Sequence, residues 1–458
     1  MNRVTRRSWI MMLFVLILLG GTAFFVGEYF VKSHQWVVSS GSPHVYNSTN
    51  IGMGKVTDRE GVLLLDIGQN RTYSESLSIR QSTLHWLGDR KGNISAPAVS
   101  HYAKEMSGFD AVNGIYAYGG VGGEATLTLS AKVQTAALEA LAGRKGTVAV
   151  YNYKTGELLC AVTSPTFDPD NAPLIEAENA SAYDGIYLNR FTQSTYIPGS
   201  IFKIVTTAAA LDCIADIMEQ SFYCTGVYEY GVDKVSCESA HGTTNLQSAL
   251  ARSCNCAFAQ IAQQIGSERM MEYIQKFKVV DSISFDGITT AKGNYDVVDA
   301  AAVELAWSCI GQYTDQINPC TYLSFIGAIA NGGERVLPHV VKQVQVGSEI
   351  TYRAKQTRTE SILSDEIAQT LRTYMRNNVQ TIYGDWNFNG LNVCAKSGTS
   401  QLGGGQTSNA MFAGFVADEA YPLAFIVVVE NGGYGSTTCV PILTKVLTQC
   451  KAVMDAEN

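Results

Sequence analysis

The sequence predicts an α+β fold: an antiparallel sheet packed against helices, preceded by a small N-terminal domain and one membrane-spanning helix. Three observations predict it. Trp9 to Gly27 is 19 residues long and carries no charge. Residues 146–164 read as two apolar strands joined by a Lys154-Thr155-Gly156 turn. Residues 391–401, 409–416 and 423–430 read as three further strands, with helical patterns between the two groups.

The first segment comes first in the chain. At 1.5 Å per residue its helix spans roughly 30 Å, the depth of a bilayer core. Arg3, Arg6 and Arg7 precede it and Glu28 is the next charge, so the positive-inside rule keeps the N-terminus in the cytoplasm and exports the rest. A cleaved signal peptide is the competing reading. It calls for a shorter apolar core and a small-x-small site, where this chain has Phe24, Phe25, Tyr29 and Phe30. The expected organisation is a cytoplasmic N-terminus at 1–8, an anchor at 9–27, a juxtamembrane linker and small domain at 28–122, and a main domain at 123–458. Within the linker, residues 31–50 are polar and aperiodic. The Gly-rich run 119–123 marks the boundary and lacks the pattern of a phosphate loop.

In the main domain, residues 127–141 read as an amphipathic helix ended by Gly143, followed by the hairpin 146–164. Residues 201–215 and 246–265 read as helices, and 441–454 as the closing helix. The sheet is expected to pair the early hairpin with the three late strands. A chain of 458 residues exceeds one ordinary core. Charged residues are 16% and the net charge is −8, which excludes a disordered polyelectrolyte and gives no basic signal for nucleic acid.

Three short motifs carry chemistry. Ser200-Ile-Phe-Lys203 is the one place where a serine is followed three residues later by lysine. It follows Pro198-Gly199 and opens a helix, so Ser200 lies at a helix N-terminus with Lys203 one turn along on the same face. An N-cap serine fits that position too. Ser253-Cys254-Asn255 sets a hydroxyl and a carboxamide two residues apart. Ser48-Thr49-Asn50 has the same form within the linker. Lys396-Ser397-Gly398-Thr399 lies on the first late strand, with Lys396 and Gly398 on one face and Ser397 and Thr399 on the other unless the strand is an edge beside a cleft. Gly398 is expected to let a substrate backbone approach. The literal Lys154-Thr155-Gly156 is set aside as a hairpin turn.

The order and spacing of the three motifs resemble those of penicillin-binding proteins and serine β-lactamases. The chain most resembles the class B group, the monofunctional, membrane-anchored transpeptidases. GKVTDREGVLLLD at 54–66, EATLTLSAKVQTAALEAL at 124–141, YIPGSIFKIVTTAAALD at 196–212, HGTTNLQSALARSCNCAF at 241–258, CIGQ at 309–312, ANGG at 330–333, CAKSGTSQ at 394–401 and NAMFAGFVA at 409–417 carry the resemblance. Ser397 replaces the commoner Thr. Met411 stands where many members carry Trp, which is expected to loosen the rim of the site. The length leaves no room for a glycosyltransferase domain, so a separate glycan polymerase is the expected partner.

The resemblance implies a serine β-lactamase/penicillin-binding-protein-like transpeptidase domain at 123–458 behind a pedestal (dimerisation-like) domain. Peptidoglycan stem peptides are the implied substrates and β-lactams the covalent ligands. Ser200 is the implied nucleophile and Lys203 its base, which works only if burial and Lys396 lower its pKa. Ser253 would bridge Lys203 and Lys396 and relay a proton. Asn255 would bind a substrate amide. Lys396, Ser397 and Thr399 would hold the substrate carboxylate, with the backbone N–H groups of Ser200 and Thr399 as oxyanion hole. A D,D-carboxypeptidase or β-lactamase shares the motifs, and a non-catalytic cell-wall scaffold would share the fold.

No cofactor or metal is expected: Cys254-Asn255-Cys256 has no second CxC or CxxC beside it, and small buried thiols fit the pair. His241 reads as a structural loop histidine. Cys224 and Cys237 lie 13 residues apart in an exported loop, a spacing compatible with a disulfide.

Overall fold

A computed structural model describes residues 2–37, 54–67, 71–107, 122–401 and 405–457. The first helix, Asn2–Val37, is longer than the anchor read from charge alone. Its apolar part, Arg3–Lys32, is exposed along its length, and among the described residues it is the one helix long and apolar enough to cross a membrane. The linker past residue 37 and most of the Gly-rich run at 119–123 lie outside the described residues.

The expected sheet is present, with five antiparallel strands in the order Val393–Ser400, Asn409–Val416, Leu423–Val429, Gly146–Asn152 and Leu158–Ser164. Its three inner strands are mainly apolar on both faces because both are covered. Phe412, Phe425 and Val427 pack with Leu443, Val446 and Leu447 of the C-terminal helix Gly435–Glu457. Ala413, Phe415 and Ile426 face the opposite layer. There the helix Pro319–Ala330 is buried all round, as its uncharged and largely apolar sequence requires. The edge strand Val393–Ser400 has one neighbour, so its outer side borders a cleft.

Local chemistry moves several expected boundaries. Glu124–Leu127 is a strand, since the alternation Ala-Thr-Leu-Thr has period two. The helix starts at Ala131, where Ser130 Oγ caps Val133 N–H. The stretch 246–265 divides into Leu246–Ala251 and Asn255–Ile265. Ser253 between them has φ of +56°, which a continuous helix excludes. The closing helix starts at Gly435, whose N–H donates to Thr399 Oγ1 at 3.2 Å, six residues before Pro441.

The N-terminal region is tied into the body by a second sheet. Lys55–Thr57 pairs antiparallel with Leu63–Asp66 and parallel with Glu124–Leu127, which in turn pairs with Val341–Val346 of a hairpin completed by Glu349–Arg353. The early Asp58-Arg59 pair is the clasp. Asp58 is fully buried and accepts three backbone N–H bonds, from Glu60 at 2.9 Å, Val62 at 2.8 Å and Ala131 at 2.8 Å. Arg59 donates to Glu457 at 2.6 and 2.8 Å and to the Thr128 carbonyl at 3.2 Å, so it grips the last turn of the C-terminal helix.

Asp58→Ala strands three donors, two on one turn and one at the start of Ala131–Leu141. It is expected to lower stability by about 3 kcal/mol. Chemical denaturation of the full-length protein in detergent checks this.

Candidate active site

The nucleophile segment is built on a tight turn. Gly199–Phe202 forms a 3-10 turn that runs into the helix Lys203–Cys213. Tyr322 OH donates to the Ile201 carbonyl at 2.7 Å and Thr206 Oγ1 to the Cys309 carbonyl at 2.6 Å, so two buried side chains fix the segment. Gly199 has φ of +55°, and a Cβ there would lie 2.7 Å from the Thr399 carbonyl oxygen. Gly398 meets the same seam from the other side: its Cβ would lie 2.8 Å from the Pro198 carbonyl oxygen and 3.2 Å from Ile201 N. The glycine expected to admit a substrate backbone therefore admits the chain's own nucleophile turn. The absent side chains bring Ser200 against the edge strand.

Three motifs converge on one cleft of about 630 Å³ lined by Ser200, Ser253, Asn255, Lys396, Ser397 and Thr399. Lys203 is fully buried behind it. Its Nζ lies 3.0 Å from Ser200 Oγ, 3.0 Å from Ser253 Oγ, 2.9 Å from the Ser253 carbonyl and 2.6 Å from Asn255 Oδ1. The Phe258 ring, with its centroid 5.6 Å from Nζ, closes one side. Burial lowers the Lys203 pKa from 10.5 to about 7, and Lys396 adds to the fall against the opposing pull of the nearby cysteine sulfurs. Lys396 is also fully buried and also lowered to about 7 by burial. The amine beside Ser200 can thus be neutral near neutral pH, as a proton acceptor must be.

Ser253 bonds Lys203, but among the described residues it makes no hydrogen bond to Lys396, whose Nζ donates to the Ser397 carbonyl at 2.9 Å. Asn255 is already engaged: Oδ1 holds Lys203, and Nδ2 donates to the Ser236 carbonyl at 2.7 Å. Ser397 and Thr399 reach the cleft because their strand is an edge. Met411 does not form the rim; it is fully buried in the neighbouring strand, opposite Gly398. Lys154 and Thr155 line a separate groove with His339 and Arg353 that contains none of the three motifs.

Several cleft residues had no sequence signal. Tyr383 OH accepts from Ser397 N–H at 2.9 Å and lies 3.0 Å from Ser397 Oγ, so it orients that hydroxyl. Tyr383 sits in a single π-helical turn, Val379–Tyr383. Gln312 Nε2 donates to the Thr399 carbonyl at 3.4 Å. It belongs to the CIGQ stretch, but nothing in that stretch marks its role. Trp307 and Tyr434 complete the walls.

Residues 146–448 match the family described as the penicillin binding protein transpeptidase domain. The chain belongs to this family. Peptidoglycan D,D-transpeptidase PbpA of Mycolicibacterium smegmatis is 27% identical over 338 residues, which span 68% of each chain. The solved D,D-transpeptidase domain of a peptidoglycan glycosyltransferase from Eggerthella lenta is 26% identical. It superposes with a TM-score of 0.75 over 88% of this chain and 99% of that one. Penicillin-binding protein A from M. tuberculosis, solved as a ceftriaxone acyl-enzyme, shares the fold at a TM-score of 0.76 and 21% identity, over 88% of this chain and 99% of that one. In this chain the α+β domain that it shares with these neighbours follows an N-terminal apolar helix that suits a membrane anchor.

Gly398→Ala pushes the nucleophile turn away from the edge strand. A displacement near 1 Å is expected to slow labelling of Ser200 by fluorescent penicillin about 100-fold, with the labelling time course as the measurement.

Proposed function

We propose that this protein is a membrane-anchored peptidoglycan D,D-transpeptidase that works through a Ser200 acyl-enzyme. The observation that carries the reading is the contact of a buried, pKa-lowered Lys203 amine with Ser200 Oγ, inside a cleft walled by the other two motifs. In this reading residues 1–8 lie in the cytoplasm, 9–27 cross the membrane, 28–122 form linker and pedestal, and 123–458 form the exported transpeptidase domain. A glycan polymerase working beside it supplies the strands to be joined.

Ser200 Oγ attacks the penultimate D-Ala carbonyl of a stem peptide ending in D-Ala-D-Ala, and Lys203 takes the hydroxyl proton. The N–H groups of Ser200 and Thr399 hold the oxyanion; one such donor contributes ~3–4 kcal/mol to the transition state. The C–N bond breaks, and the leaving amine takes a proton relayed through Ser253. Lys396, Ser397 and Thr399 hold the terminal carboxylate, and Asn255 orients Lys203 and the substrate amide. An amine of a second stem peptide then attacks the ester. The new amide forms, the Oγ–C bond breaks and Ser200 regains its proton. A β-lactam enters the same first step, and its ester persists.

The deciding assay offers a stem-peptide donor with and without an amine acceptor. Crosslinked product is expected only with the acceptor. D-Ala release with no crosslink under any acceptor condition sinks the transpeptidase reading in favour of a carboxypeptidase. Ser200→Ala is expected to abolish penicillin labelling, and Lys203→Ala to slow it about 10²–10⁴-fold. Equal labelling of wild type and Ser200→Ala rules out the nucleophile.

The pH dependence has a definite sign. The reactive form has Lys203 neutral, so labelling should rise with pH as Lys203 loses its proton near 7, and should fall again at higher pH as Lys396 loses the charge that holds the carboxylate. Lys396 is one of the causes lowering Lys203, so Lys396→Ala is expected to move the midpoint upward. A profile that is flat from pH 5 to 9 contradicts the lysine-base assignment.

A further inference from the structure

Next to the second motif lies a group of side chains that the acyl-transfer chemistry does not use. Cys224, Cys237, His241 and Cys254 each offer one ligand atom, and the four atoms lie within 4.8 Å of one another. We infer that these four residues bind a single zinc ion, which clamps the loop carrying Ser253 and Asn255.

The geometry supports a closed four-ligand site. Cys224 Sγ lies 3.7 Å from Cys237 Sγ and 3.6 Å from His241 Nδ1, and Cys237 Sγ lies 3.8 Å from Cys254 Sγ. With Zn–S near 2.3 Å, a tetrahedron has S···S edges of roughly 3.8 Å and slightly shorter S···N edges. A disulfide needs sulfurs about 2.05 Å apart, so the Cys224–Cys237 pair compatible by spacing is not bonded. Three thiolates and one imidazole are a donor set for structural zinc.

The topology explains how residues this far apart in sequence meet. The strand Phe222–Cys224 pairs with Gly242–Thr244 in a register that sets Cys224 opposite Gly242, beside His241. The hairpin formed by Val227–Tyr230 and Asp233–Ser236 returns the chain so that Cys237 N–H donates to the Gly226 carbonyl at 2.9 Å. Cys254 is the N-cap of Asn255–Ile265. Two backbone N–H groups already point at the sulfurs: Ala257 at Cys254 Sγ, 3.4 Å, and Cys256 at Cys237 Sγ, 3.3 Å. Such donors at a helix N-terminus favour thiolates and orient metal-bound sulfur. Cys256 Sγ lies 3.5 Å from Cys237 but falls outside the four-atom group; it faces the Val235 carbonyl.

The cluster bears directly on the cleft. Cys254 stands between Ser253 and Asn255, whose side chains both hold Lys203. Ser236, which accepts from Asn255 Nδ2, adjoins Cys237. A metal joining Cys237 to Cys254 therefore fixes both ends of this network and holds Ser253 at its positive φ, a conformation that needs support from its surroundings. This positioning role rests on the transpeptidase reading, while zinc binding itself does not.

The test uses full-length protein in detergent, purified without chelator. Elemental analysis is expected to give about one zinc per chain. Cobalt(II) added to metal-stripped protein should give the visible bands of a tetrahedral thiolate site. Cys224→Ser and His241→Ala are expected to lose the metal, and Cys256→Ser to keep it. Ser200→Ala should bind zinc while failing to label, which separates this inference from the catalytic one. Removing zinc from wild type should slow penicillin labelling at least tenfold, with recovery on adding zinc chloride. Protein that takes up neither zinc nor tetrahedral cobalt, or that carries a Cys224–Cys237 disulfide when folded, overturns the site. Labelling unchanged by zinc removal overturns the clamp.

Discussion

The structure is organised around one buried amine. Lys203 is withdrawn from water and then surrounded by four oxygen partners: Ser200 Oγ, Ser253 Oγ, the Ser253 carbonyl and Asn255 Oδ1. A lysine so placed must be hydrogen-bonded to be tolerated, and burial in turn makes its neutral form accessible. Each partner comes from an element that must be held by something else. The 3-10 turn is held by Tyr322 and Thr206, and the broken helix by the Cys254 cap. The sheet edge brings the second cation. Losing any of these supports leaves a buried polar group unpaired, so the site and the local fold are specified together.

The seam between nucleophile turn and edge strand follows the same logic. In the proposed reaction the N–H groups of Ser200 and Thr399 flank one oxygen, which calls for the two backbones that carry them to pack closely against each other. Side chains forbid that distance. Gly199 and Gly398 remove them from the two facing positions, and Gly199 also takes the left-handed conformation that the turn demands.

Local patterning made much of this legible. The hairpin 146–164 and the three late strands pair as their apolar runs suggest, because alternation and turn residues are properties of short segments. Ser200, Ser253 and Lys396 could be placed because spacing and order are sequence properties. What was hidden depends on tertiary contacts. The pattern of 246–265 is helical throughout, yet Ser253 breaks it, with a cysteine as an uncommon cap. Tyr383 and Gln312 act only through the strand packed against them. The hairpin Val341–Arg353 is weakly apolar and finds its partner some 215 residues earlier, at Glu124–Leu127. The sulfur cluster reads C-x12-C-x3-H-x12-C. Its Cys237-x3-His241 step was the one available signal, and it is less distinctive than a pair of CxxC motifs.

The two lysines also set a thermodynamic constraint. Each has a folded-state pKa near 7 against 10.5 for the free side chain. Between those values the unfolded chain holds protons that the folded one has released, so stability rises with pH across this window. Below about 7 the folded state must bury charged ammonium groups, and the full penalty applies. A buried lysine whose pKa falls to near neutral is therefore a standing destabilisation. It persists because the surrounding frame is strong: a five-stranded sheet covered on both faces, a wholly buried helix at Pro319–Ala330, and the Asp58–Arg59 clasp. The reactivity of Ser200 thus depends on apolar burial far from it, because only a frame with stability to spare can hold two cations out of water beside a serine.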